Sequence, residues 1–170
     1  MAAPYIRAAN IQDFGLELAD VKTMPFHPSE LTRLSLRRGD LLVVEGGASY
    51  GKSVWLETDL PGWGFQKTIN RVRSRGAGST RFLGYVLQGL RDRGILALHS
   101  DGSTLPHLTA ETLRGLRIPR PPTDEQERLA DFLDTEVGVV GALTAKVEEF
   151  IRLTRERRAA LITAAVTGQF

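Results

Sequence analysis

The chain has 170 residues, no cysteine, 42% hydrophobic residues and a formal net charge of +2. This length supports one domain with a hydrophobic core and an appended element. The composition excludes disulfides and thiolate metal sites, which suits a reducing cytoplasm, and no apolar run reaches the roughly 20 residues that a membrane span needs. We therefore expect a soluble, cytoplasmic protein.

Charge is distributed unevenly along the chain. Residues 1–120 contain 16 Lys and Arg against 11 Asp and Glu, whereas residues 121–170 contain 6 against 9. No acidic residue lies between Asp59 and Asp92, although several basic residues do. Clustered positive charge is what neutralising nucleic-acid phosphates requires. A solvated strand and loop in an arginine-rich protein is the alternative explanation.

The first part of the chain predicts an α+β body in which helices cover a mixed or antiparallel sheet. Pro25 and Pro28 are expected to break the chain, and Ser29 to cap a short helix over 29–35. The spacing of apolar residues over 80–94 predicts an amphipathic helix, and Thr109 is expected to cap a further short helix. Alternation, apolar runs and turn residues predict strands at 4–10, 41–44, 54–56 and 65–72.

Residues 46–53, GGASYGKS, satisfy the phosphate-binding pattern G-x-x-x-x-G-K-[ST]. A nucleotide-binding protein is therefore one alternative. That loop requires a helix directly after its lysine, because the free N–H groups and the dipole of the helix hold the phosphates. Here the segment after Ser53 is VWLETDLPGWG, which glycine and proline interrupt too early for such a helix. We expect the loop of a β-hairpin instead.

A long helix is predicted from Thr123 to Thr167. Three prolines among residues 119–122 end the preceding structure. Residues 123–126 have the sequence of a capping box, in which Thr123 caps the helix and Gln126 reaches back to it. Two shorter helices broken at Gly138 or Gly141 are the alternative, because glycine costs roughly 1 kcal/mol inside a helix.

Apolar residues of this helix recur at alternating steps of four and three, which is a heptad pattern. A helix of about 45 residues would extend about 65 Å at 1.5 Å per residue. We therefore expect its apolar face to bind another helix, from a second copy or from a different protein. The expected interface residues are Leu133, Val137, Val140, Val147, Ile151 and Leu161.

Two segments resemble the specificity subunits of type I restriction-modification systems. The first begins at Gly102 and contains G-S-T-x-x-H-[LI]-T, followed by L-x-x-L-x-I-P-x-P-P-x-x-E-Q-x-x-[IL]-A-x-F-L-D up to Asp134. The second, from Glu156 to Gly168, is similar to the family's closing E-R-R-x-A-L-I-x-x-A-V-T-G. The resemblance is strongest over residues 80–170 and extends more weakly over residues 4–79.

The resemblance implies a target recognition domain at residues 1–122, which binds double-stranded DNA, and a conserved helix at residues 123–170 for dimerisation and methyltransferase docking. Subunits of this family carry two such domains, each of which recognises half of a bipartite site. They are not enzymes and hold no cofactor, but they direct modification methyltransferase subunits, and sometimes a restriction subunit, to DNA. The chain resembles half of such a subunit and would pair with a second copy or another half subunit.

The chain departs from this family at its start. Family domains usually begin with a tryptophan-containing segment ahead of the piece that Pro4 to Ile11 resembles. We therefore expect a recognition domain that lacks its usual N-terminal segment. A truncated remnant that binds other proteins but no DNA is a further alternative.

Candidate DNA contacts lie in the hairpin loop and in the basic segment after it. Arg and Lys form paired hydrogen bonds with guanine, Asn and Gln form them with adenine, and many polar side chains bind phosphates. The three histidines, His27, His99 and His107, are too scattered to suggest a metal site. The candidate DNA-binding residues are Ser49, Tyr50, Lys52, Ser53, Gln66, Lys67, Asn70, Arg71, Arg73 and Arg75.

Overall fold

The computed structural model describes residues 2–13, 15–76, 78–99 and 106–168. These belong to two compact units, Met1–Ala130 and Asp131–Phe170. The first unit contains strands, short helices and the start of the long helix, and the second contains the rest of that helix. The predicted α+β class with a long C-terminal helix is thus confirmed. The beginning of the first family motif, at residues 102–105, and the side chain of His99 lie outside the described part.

Within the described ranges, the chain forms eight strands and four α-helices. The strands are β1 Ala2–Ile6, β2 Ile11–Gln12, β3 Gly15–Leu16, β4 Lys22–Pro25, β5 Leu41–Val44, β6 Ser53–Trp55, β7 Gly64–Phe65 and β8 Ile69–Val72. The helices are α1 Pro28–Arg33, α2 Thr80–Asp92, α3 Ala110–Gly115 and α4 Thr123–Val166. Short 3-10 turns lie at Ala8–Asn10, Gly47–Ser49 and Leu96–His99.

The strands form three small sheets. One has the order β4–β1–β7, with β1 antiparallel to β4 and parallel to β7. A second is the hairpin of β2 and β3. The third has the order β6–β5–β8 and is antiparallel throughout. The prediction of a mixed sheet and that of a β5–β6 hairpin are both confirmed.

Strand β5 lies at the centre of the core. Its residues Leu42 and Val44 belong to one buried cluster, and Leu41 and Val43 belong to another on the opposite face, where α2 packs. All four side chains are fully buried. Because both faces of this strand are covered, its sequence is continuously apolar instead of alternating.

Two predicted strands are shorter than expected. The first ends at Ile6, because the chain turns through the 3-10 segment Ala8–Asn10, where the Asn10 side chain accepts from the Arg7 N–H at 2.9 Å. The predicted strand 65–72 is divided into β7 and β8, which belong to different sheets. The division follows from a turn in which the Ile69 N–H donates to the Gln66 carbonyl at 3.0 Å.

The short helices α1 and α3 differ in whether the predicted N-cap forms. Thr109 caps α3 by accepting from the Thr112 N–H at 3.1 Å, as predicted. The predicted Ser29 cap of α1 is wrong: this helix begins at Pro28, which suits a first helical position because proline lacks an N–H. The Ser29 hydroxyl instead lies 2.7 Å from Nδ1 of His27.

Helix α4 runs without a break from Thr123 to Val166, through both Gly138 and Gly141. The alternative of two shorter helices is therefore wrong. The predicted capping box is also wrong, because the Gln126 side chain does not reach back to Thr123. It accepts from the Ser79 N–H at 2.9 Å and donates to the Pro121 carbonyl at 2.7 Å.

Candidate nucleic-acid interface

The strand register separates the candidate DNA-binding residues into two groups. Val43 of β5 is paired with Ser53 and Val44 with Ile69, so the hairpin loop and the segment before β8 lie at the end of β5. Leu41, at the start of β5, is paired with Val72. The loop group at the end of β5 consists of Ser49, Tyr50, Lys52, Ser53, Gln66 and Lys67. The arginine group, which extends towards the start of β5, consists of Arg71, Arg73 and Arg75.

Two side chains of the loop group are held by the body. The hydroxyl of Tyr50 donates to the Leu96 carbonyl at 2.8 Å, and burial raises the pKa of this tyrosine. Lys52 Nζ donates to Gln12 Oε1 at 3.1 Å and lies 3.7 Å from the carboxylate of Asp13. The side chains of Gln66 and Lys67 are exposed, and Ser49 is half-buried. This group therefore combines fixed side chains with free ones.

The lysine of the phosphate-binding pattern has no helix behind it. Strand β6 begins at Ser53, directly after Lys52, and pairs with β5. The arrangement lacks the helix N-terminus on which a nucleotide phosphate would rest. The nucleotide-binding alternative is not supported.

The arginine group is anchored to the turn between α1 and β5. Arg73 forms a two-point ion pair with Asp40, whose hydrogen bond raises the pKa of Arg73. Arg71 donates from one nitrogen to the Ser35 carbonyl at 2.5 Å and to the Arg33 carbonyl at 3.2 Å. Its guanidinium also lies over the Phe65 ring, 5.7 Å from the centroid. Two positive charges are thus fixed at one end of the sheet.

Asn70 lies on the opposite face of β8 from Arg71, since side chains alternate along a strand. It is half-buried and donates to the Leu108 carbonyl at 2.8 Å. The structure therefore does not bring Asn70 together with the arginine group. Arg75, by contrast, follows β8 on the exposed surface.

Further basic residues that the sequence did not single out adjoin the arginine group. Arg33 ends α1, and Arg37 lies in the turn before Asp40, whose carboxylate accepts from the Arg37 N–H at 2.9 Å. They are more than thirty residues away from β8 in the chain. A signal was present in the sequence RLSLRR at residues 33–38, but only the fold shows that it adjoins the basic strand.

The second unit presents an apolar helix face. Of the predicted interface residues, Val140 and Val147 are each 56% exposed, and Ile151 and Leu161 are also exposed, while Leu133 and Val137 are half-buried. This face is wider than a strict heptad row. It also includes the exposed side chains of Val139, Leu143, Phe150, Leu153, Ile162 and Val166.

The part of the chain that the structure describes contains no group of three or more His, Cys, Asp or Glu side chains suited to a metal ion. Among the described helices, none is both long and apolar enough to span a membrane. An α+β domain with clustered arginines and a long helix with an exposed apolar face define a class of binding module.

The chain belongs to the family described as "Type I restriction modification DNA specificity domain", whose model matches residues 4–149. It is 33% identical to the EcoBI specificity subunit of Escherichia coli over 91 residues, which are 52% of this chain and 18% of that protein. It is 24% identical to the EcoKI specificity subunit of Escherichia coli strain K12 over 170 residues, 98% of this chain and 36% of that protein. The chain thus spans about a third, or less, of the length of these relatives.

Two solved structures share the fold. One, described as "Structural basis underlying complex assembly and conformational transition of the type I R-M system", aligns with a TM-score of 0.67 and 22% identity, covering 90% of this chain and 35% of the other. The HsdS subunit from Thermoanaerobacter tengcongensis aligns with a TM-score of 0.63 and 19% identity, covering 84% and 37%. The predicted family resemblance is confirmed.

Proposed function

We propose that the chain is a half specificity subunit that binds double-stranded DNA and directs type I modification and restriction subunits to a bipartite site. The observation that carries this proposal is the family match over residues 4–149, which includes the body and residues 123–149 of α4. The proposed recognition domain is residues 1–122, and the proposed assembly helix is residues 123–170. The chain itself has no catalytic role and no cofactor in this proposal.

The proposed DNA surface consists of the loop group and the arginine group, and Asn70, on the opposite face of β8 from Arg71, is proposed as a separate contact. The exposed side chains of Gln66, Lys67 and Arg75, and the half-buried Ser49, are suited to contact bases or phosphates directly. Side chains held by the body, such as Tyr50 and Arg73, have the fixed geometry that base recognition requires, because a defined donor position distinguishes one base edge from another. The proposal assigns both kinds of contact to this domain.

The proposed partners bind through α4. A second copy or another half subunit would cover part of the exposed apolar face, and modification methyltransferase subunits would bind the remainder. The width of this face supports two kinds of partner, because a single partner helix would cover only one heptad row. A restriction subunit would join through the methyltransferase subunits.

Selection from a pool of randomised DNA duplexes tests this function. The full chain would be incubated with its cognate methyltransferase subunit, and bound duplexes would be sequenced. We expect an inverted repeat interrupted by a gap of constant length, because two identical copies related by a two-fold axis recognise two identical half-sites. Absence of any enriched sequence would contradict the proposal, and binding of methyltransferase without DNA would identify an interaction remnant.

A further inference from the structure

The end of α1, the turn before β5 and the strand β8 bring four arginines together. Arg71 donates to the carbonyls of Arg33 and Ser35, and Arg73 also donates to Ser35, at 3.1 Å. Arg37 enters the same region, because its N–H donates to Asp40, the partner of Arg73. Three separate chain segments therefore bring these arginines close together, and the charges of Arg33, Arg37 and Arg73 all act on Arg71.

The positive charge of this surface exceeds the negative charge beside it. Asp40 is buried, and its carboxylate is occupied by Arg73. The side chains of Arg33 and Arg37 are exposed and form no ion pair within the described ranges. Burial lowers the pKa of Arg71, and the charges of Arg73, Arg37 and Arg33 lower it further, against the opposing effect of Asp40. Within the described ranges, Asp40 is the only carboxylate that forms an ion pair with any of the four arginines.

We propose that Arg33 and Arg37 bind phosphates of the DNA backbone, beside the fixed charges of Arg71 and Arg73. This inference rests on the proposed function and adds a contact that does not depend on base sequence. A phosphate is the ligand that fits, because a guanidinium binds its oxygens through two parallel hydrogen bonds. Phosphate binding does not require a fixed donor position, and no described contact fixes the guanidinium of Arg33 or Arg37.

The test is a titration of a random-sequence duplex over a range of salt concentrations, with the full-length double variant Arg33→Gln/Arg37→Gln. Each phosphate contact contributes about 0.9 to the slope of log affinity against log salt. We therefore expect the slope to fall by about 1.8. The variant Arg33→Lys/Arg37→Lys should retain most of the slope, since it keeps the charges. Equal melting temperatures would show that the variants are folded.

The matched control is Arg93→Gln/Arg114→Gln, which removes the same charge elsewhere. The start of α2 adjoins the arginine surface, because the Thr80 hydroxyl donates to the Gly39 carbonyl at 2.6 Å. Arg93 follows the other end of α2, about 20 Å away at 1.5 Å per residue. Arg114 belongs to α3, whose residue Leu113 packs on the opposite face of β5 from Leu42. Both control side chains are exposed.

The outcomes separate the inference from the proposed function. A smaller slope in the Arg33/Arg37 glutamine variant, with an unchanged slope in the control, supports the inference even where no sequence is enriched in the selection experiment. Equal slopes in the two double variants would overturn the inference. Equal reductions would mean that total charge determines the slope, and two unchanged slopes would mean that neither pair of arginines binds phosphate. A parent chain that selects a sequence while the glutamine variant keeps the full slope would overturn the inference alone. A parent that binds no duplex at all would overturn both.

Discussion

The guanidinium of Arg73 donates to both carboxylate oxygens of Asp40, at 2.6 Å from Nε and 2.7 Å from Nη2. The Asp40 side chain is 1% exposed, whereas that of Arg73 is 36% exposed. The Arg37 N–H donates to the same carboxylate. This arrangement fixes the segment after β8 against the start of β5, at one end of the proposed DNA surface.

Replacing Arg73 with alanine should destabilise the body. The substitution leaves the buried carboxylate of Asp40 without a counter-charge. Because Arg73 is partly exposed and the Arg37 N–H still donates to Asp40, the cost is about 3 kcal/mol, the low end for a buried pair broken from one side. In a chain of this size that corresponds to a fall in Tm of about 6–12 °C. Thermal unfolding followed by circular dichroism measures it.

The control for this variant is Arg75→Ala, two residues further along the same segment. Arg75 is exposed, and no ion pair is found for it in the described ranges, so we expect a change within about 0.5 kcal/mol. Equal unfolding temperatures for the two variants would contradict a structural role for the Arg73–Asp40 pair.

The sequence was sufficient to predict strands and helices that depend on residues close together in the chain. The unbroken apolar run Leu41–Val44 predicts a strand buried on both faces, and the uninterrupted long periodic segment predicts α4. Partners distant in the chain were not predictable, because composition does not show which arginine of a basic segment meets an acid. Arg73 is a predicted DNA contact, and the sequence does not indicate that Asp40, 33 residues earlier, is its ion-pair partner.

The beginning of α4 shows the same limit. The sequence TDEQ predicts a capping box from local spacing alone. In the fold, the N–H of Ser79, 47 residues earlier, is the donor to the Gln126 side chain. A tertiary hydrogen bond therefore replaces the local one, since a buried N–H without a partner is costly.

Gln126→Ala should destabilise the body by about 2 kcal/mol, because it leaves the Ser79 N–H and the Pro121 carbonyl without their partner. Glu127→Ala, at the next residue, removes an exposed ion pair with Arg81 at 2.9 Å and should cost less than about 1 kcal/mol. Urea unfolding of the parent and both variants provides the comparison. The assigned role of Gln126 would be refuted by a cost no greater than that of Glu127→Ala.

Tyr50 should make the fold sensitive to alkaline pH. Burial raises its pKa above the ordinary value of 10.0. A raised folded-state pKa means that the stability from this group is fully present below about pH 10 and is lost as the pH rises through the folded pKa. Deprotonation also removes the donor to the Leu96 carbonyl.

Tyr50→Phe distinguishes the contribution of Tyr50 to stability from the contributions of other groups that titrate at high pH. The variant should be about 1 kcal/mol less stable than the parent at pH 8, because one hydrogen bond is missing. The difference should shrink as the pH rises above about 10. Urea unfolding at several pH values measures it, with Tyr5→Phe as the control for removing a hydroxyl. A difference independent of pH would exclude this role of Tyr50.

Val147→Asp combined with Ile151→Asp should abolish self-association or methyltransferase binding. Both side chains are exposed on α4, so the substitutions add charge to the apolar face without disrupting the core of the body. A carboxylate buried against another helix without a partner costs several kcal/mol, which exceeds what most helix contacts contribute. Sedimentation of the parent and the variant, with and without methyltransferase, measures the loss.

The control variant places two carboxylates on the other side of the same helix. At 3.6 residues per turn, Ala145 and Thr163 lie nearly opposite Val147, and both are exposed. Ala145→Asp with Thr163→Asp adds the same charge and should leave association unchanged. If both double variants sediment like the parent, the apolar face of α4 is not an assembly surface. If both double variants lose association, the loss results from added charge or reduced helix stability. It then gives no evidence that the apolar face binds a partner.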